Sequence, residues 1–90
     1  MSGTEKQLAD HAAQTLQRAQ YLRADVALRD VKELRDYVGS GSNVENERAA
    51  AWIAISALCK ALQEAPRGPE VKVAWERAIG KTQAWLEAMG

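Results

Sequence analysis

The sequence predicts an all-α protein, and three observations predict it. Apolar residues recur at three- and four-residue spacings along the whole chain, no stretch alternates in twos, and glycine and proline gather at two interior breaks. Three helices are expected, over about residues 5–38, 43–65 and 69–89: a long N-terminal helix, a central helix and a C-terminal amphipathic helix.

The first helix has a start signal in Thr4 with Gln7 three residues on, and no glycine or proline interrupts it before Gly39. Its apolar stripe runs through Leu8, Ala12, Leu16, Ala19, Leu22 and Val26, then through Ala24, Leu28, Val31, Leu34 and Val38. On a wheel of 100° per residue the second stripe is turned by roughly a quarter from the first, so the two halves face different neighbours or the helix bends near Arg23 to Asp30. A straight rod of this length would measure roughly 50 Å, against a diameter of about 30 Å for a compact chain of this size. Its N-terminal part would then overhang.

Gly39-Ser40-Gly41-Ser42-Asn43 ends that helix, and Ser42 with Glu45 forms the next capping box. The central helix carries a large-residue face (Val44, Trp52, Ile55, Leu58, Cys59, Leu62) and a seam of Ala50, Ala54, Ala57 and Ala61, with Ile53 on the far side. Such a helix needs cover on more than one side. Pro66-Arg67-Gly68-Pro69 is the second break, where Pro69 suits the first turn of a helix because its missing N–H costs nothing there. On the third helix Val71, Ala74, Trp75, Ala78, Ile79, Thr82, Trp85, Leu86 and Met89 share one stripe, which makes both tryptophans core residues.

A hairpin centred on Gly41 sets Val38 beside Val44, Leu34 beside Arg48 and Asp30 beside Trp52. Arg23, Asp30 and Arg48 interrupt apolar stripes, and Asp30 is the expected partner of Arg48 because a buried charge left alone is expensive. Nothing before Gln17 has an intrachain neighbour in this register. The uncovered Leu8, Ala12, Leu16 and Ala19, with Tyr21 and Arg23 beside them, are therefore the expected partner-binding residues. Sharing apolar faces between two chains is a gain for so small a domain, and a helical-bundle homodimer is the expected assembly.

The 90 residues fit a single helical domain. Twelve Lys plus Arg cancel twelve Asp plus Glu, with no basic or acidic segment, which argues against nucleic acid and anionic membrane as partners. Arg67, Lys72, Arg77 and Lys81 are interleaved with Glu70, Glu76 and Glu87, and Asp25–Arg29, Arg29–Glu33 and Lys32–Asp36 read as pairs on a solvated helix face. One cysteine and one histidine leave no intrachain disulfide and no two-Cys or two-His metal site. Cys59 reads as a buried, inert thiol and His11 as a surface residue. No phosphate loop or nucleophile motif is present, so no catalytic residue, cofactor or metal is expected.

Charges through the first 30 residues leave no apolar signal segment, and the longest nearly apolar run, Ala49 to Cys59, is too short to span a bilayer. A cytoplasmic protein is expected, and its alanine- and arginine-rich composition suggests a bacterial or phage origin. The expected function is to bind another protein as a regulator, inhibitor or assembly adaptor. The alternatives are a non-catalytic or pocket-sharing subunit of an oligomeric enzyme or ligand-binding helical bundle and, after that, a nucleic-acid-binding helical protein.

Overall fold

A computed structural model describes residues 2–39 and 47–88 of the chain. They form four helices: α1 (Ser2–Ala19), α2 (Ala24–Val38), α3 (Glu47–Glu64) and α4 (Pro69–Ala88). The expected capping box at Ser42 and Glu45, and the expected start of the central helix at residue 43, lie outside the described residues. Each helix packs against two neighbours in cyclic order, α1 on α2, α2 on α3, α3 on α4 and α4 on α1. With four-residue links at 20–23 and 65–68 this is an up-down-up-down four-helix bundle.

The expectation of one long first helix is corrected: it is two helices. The last turn of α1 tightens, with Tyr21 N–H donating to Arg18 O at 3.3 Å and Leu22 N–H to Ala19 O at 3.0 Å. Arg23 is extended (φ −60°, ψ 150°), and Ala27 N–H donates back to its carbonyl at 2.8 Å to open α2. The break resolves the quarter-turn between the two stripes. A continuous rod would leave one stripe in water, whereas a fold-back at 20–23 buries both, and that burial outweighs the few helical hydrogen bonds given up. The molecule accordingly measures 39 × 22 × 19 Å with a radius of gyration of 12.3 Å, too short for a rod of roughly 50 Å.

The helix ends follow from local chemistry. The backbone is already helical at Ser2, so Thr4 lies inside α1 and not at its cap. Gly39 closes α2 at φ 68°, its N–H bonding to Arg35 O at 2.9 Å, in a region that only glycine enters cheaply. Pro69 is the first residue of α4, as its fixed φ suits. Gly68 stands where a Cβ would meet Ala65 Cβ at 3.1 Å and Ala65 O at 3.2 Å, so the tight α3–α4 link depends on it.

Buried residues run along each helix at alternating spacings of three and four: Ala9, Ala12, Leu16 and Ala19; Ala27, Val31, Leu34 and Val38; Ala51, Ile55, Leu58 and Leu62; Val71, Trp75, Ala78, Thr82 and Trp85. Alternating spacings of three and four are the repeat by which helices pack side by side in a bundle. Leu28, Val31, Leu34, Trp52, Ile55, Leu58, Leu62, Trp75, Ile79, Trp85 and Leu86, taken from the stripes of all three expected helices, belong to one core or pack on its edge. Thr82, fully buried, keeps its hydroxyl bonded to Ala78 O and Ile79 O of its own helix. The alanine seam of α3 is only partly closed, since Ala54 is buried and Ala57 exposed.

Candidate partner-binding surface

The first four expected partner-binding residues face inward. Ala12, Leu16 and Ala19 are fully buried and Leu8 packs against the same core, because α2 and α4 cover the stripe that a single rod would have left bare. The overhang that argued for a homodimer is therefore not there. Tyr21 and Arg23 lie in the α1–α2 link, where Tyr21 is 84% exposed and Arg23 reaches only the neighbouring Asp25 at 3.6 Å.

Beside that link a cleft of about 400 Å³ opens at this end of the bundle. Leu22, Leu62, Val71 and Trp75 supply its apolar lining, and Arg67, Lys72 and Glu76 carry its charges. The sequence placed Leu62, Val71 and Trp75 in the core but not the opening above them. That opening exists because α1 stops at Ala19 and the chain must cross to α2 within four residues.

The opposite end is closed by a charged layer. Glu5 and Arg48 stand one step outside the buried lines of α1 and α3, at positions where the repeat calls for apolar residues. Arg48 Nη1 meets Glu5 Oε1 at 3.2 Å, Nη2 donates to Val38 O, and the guanidinium carbon lies 5.9 Å from the centre of the Trp85 ring. One side chain thus ties together all four helices, with Glu5 in the place expected of Asp30. Helix α1 folds back, so its N-terminus comes to the start of α3, a neighbour that a straight first helix could never meet.

Asp30 instead lines a second cleft, of about 220 Å³, between α1 and α2. His11, Thr15 and Arg18 face it from α1, and Glu33 and Tyr37 join Asp30 from α2. The His11 and Tyr37 rings lie 5.3 Å apart at an interplanar angle of 58°. The Asp25–Arg29, Arg29–Glu33 and Lys32–Asp36 pairs do not form; among the described residues the ion pairs are Arg23–Asp25, Arg35–Asp36 and Arg48–Glu5. Cys59 is buried, and Arg35 Nη1 donates to its sulfur at 3.6 Å, a cation that the linear sequence does not place there.

No group of three His, Cys, Asp or Glu side chains among the described residues is gathered closely enough to hold a metal ion. No helix among them is long and apolar enough to cross a membrane. Comparison of the chain with protein-family models, curated proteins and solved structures finds no match.

Proposed function

We propose that this chain is a small non-catalytic interaction module, a regulator, inhibitor or assembly adaptor of the cytosol, which engages a partner protein through the α1–α2 turn end of the bundle. The supporting observation is the pairing of exposed apolar side chains, Tyr21 and the 40%-exposed Leu22, with an adjacent open cleft lined by Trp75 and Leu62. Exposed aromatic side chains beside an apolar depression are where binding energy concentrates in protein interfaces. The occupant is an apolar side chain of the partner, seated over Trp75, with Arg67, Lys72 and Glu76 matching polar groups around it. A lone thiol without a disulfide partner suits a reducing compartment.

The test is quantitative capture by immobilised wild-type protein and by Tyr21→Asp, Leu22→Asp and Ile53→Ser, each first shown by circular dichroism to retain its helix content. A true partner is kept by wild type and by the Ile53 control, whose side chain is exposed on α3. It is weakened by at least about 30-fold in the Tyr21 or Leu22 variant, as loss of a hot-spot residue implies. Equal retention by all four proteins overturns the turn end as the site.

A further inference from the structure

The α1–α2 cleft is separate from the turn-end surface and has chemistry of its own. Its lining repeats on both walls: His11, Thr15 and Arg18 follow one another up α1, and Asp30, Glu33 and Tyr37 up α2. Two carboxylates and one cation line this small space, yet none of Arg18, Asp30 and Glu33 forms an ion pair among the described residues. Thr15 is a second, independent irregularity. It is only 7% exposed, it lines the cleft, and its hydroxyl has no hydrogen-bond partner among the described residues. An occupant of the cleft would give that hydroxyl a hydrogen-bond partner.

We propose that this cleft receives the guanidinium group of an arginine side chain from a partner protein. The two carboxylates, three residues apart on one helix, present acceptors to a planar donor with five N–H groups. The exposed Tyr37 ring, with His11 against it, offers a face on which a guanidinium stacks. Thr15 supplies an acceptor at the floor. Arg18 at one end of the cleft opposes a second cation, which limits the site to one. The choice between an arginine of a protein and a free cation follows from shape: the cleft is small and open to solvent, whereas sites for free small molecules bury most of the ligand's surface. A side chain delivered by its own backbone needs no such enclosure. Only this choice of occupant rests on reading the chain as a protein-binding module.

The probe is N-acetyl-arginine-N-methylamide, titrated into the ¹⁵N-labelled full chain and followed by amide shifts, with the citrulline analogue and guanidinium chloride in parallel. Saturable shifts at Thr15, Asp30, Glu33 and Leu34 with a dissociation constant of roughly millimolar order are expected for a single anchored side chain. They should weaken at least about 10-fold in Asp30→Asn/Glu33→Gln and be absent with citrulline. Tyr21→Asp should leave them unchanged, so failure at the turn end and failure at this cleft are told apart. Equal shifts with citrulline, or no saturable shift, overturn the proposal and leave a solvated groove. Guanidinium chloride binding as tightly as the blocked arginine overturns the side-chain occupant in favour of a free cation.

Discussion

Replacing Arg48 with alanine tests the charged layer at the end of the bundle, because three of the interactions its side chain makes there can be separated. The hydrogen bond to Val38 O is charge-assisted and satisfies a carbonyl in the last turn of α2; its loss costs about 1 to 1.5 kcal/mol. The Glu5 contact is a 3.2 Å pair whose side chains are 23% and 39% exposed, and solvent screening holds it to about 0.5 kcal/mol. The position over the Trp85 ring, 5.9 Å from its centre, adds about 0.5 kcal/mol. Arg48→Ala should therefore lose about 2 to 2.5 kcal/mol in urea melts followed by tryptophan fluorescence and circular dichroism, while Glu5→Ala should lose about 0.5 to 1 kcal/mol. A double-mutant cycle separates the partners: Glu5 with Arg48 should give a coupling of about 0.5 kcal/mol that shrinks in 0.5 M salt, and Asp30 with Arg48 should give none. A larger coupling to Asp30 than to Glu5 would refute the fold-back of α1, since only that fold-back brings Glu5 to Arg48.

Gly80→Ala should stabilise the chain by about 0.8 to 1 kcal/mol, because Gly80 is inside α4, exposed, and has no atom within 4 Å of an added Cβ; an unchanged or lower urea midpoint would show that the residue is needed elsewhere. Leu16→Ala should cost about 2 to 5 kcal/mol, since its side chain is fully buried; a loss below about 0.5 kcal/mol in the same melts would return Leu16 to the surface.

The residues of the core were legible in the sequence because burial leaves a periodic trace on every helix. Pro69 and Gly39 were legible for a local reason, as each marks a backbone conformation that few other residues adopt. The break at 20–23 carries no such mark. Gln20, Tyr21, Leu22 and Arg23 are all compatible with helix, and the sign of the turn was the rotation between two stripes, which placed a change near Arg23 to Asp30, just past the break, and did not distinguish a bend from a second neighbour. The misplacement of the Arg48 partner follows from the same gap. In a three-helix register the nearest carboxylate is Asp30; once α1 reverses, Glu5 is carried to the start of α3, and a charge at the edge of the α1 stripe meets one at the edge of the α3 stripe.

The break also decides which surfaces are free. With the stripe of Leu8, Ala12, Leu16 and Ala19 folded inward, the large apolar side chains left exposed among the described residues are Tyr21 and Leu22 at the turn end and Tyr37, Ile53 and Val73 on the helix faces. At the Arg48 end the chain closes the bundle with a guanidinium held by Glu5 and the Val38 carbonyl and lying over Trp85. At the turn end the short crossing from Ala19 to Ala24 leaves Tyr21 outside, beside a cleft whose lining includes the edges of the buried Leu62 and Trp75. The 84% exposure of Tyr21 beside that cleft is the observation on which the proposed partner surface rests.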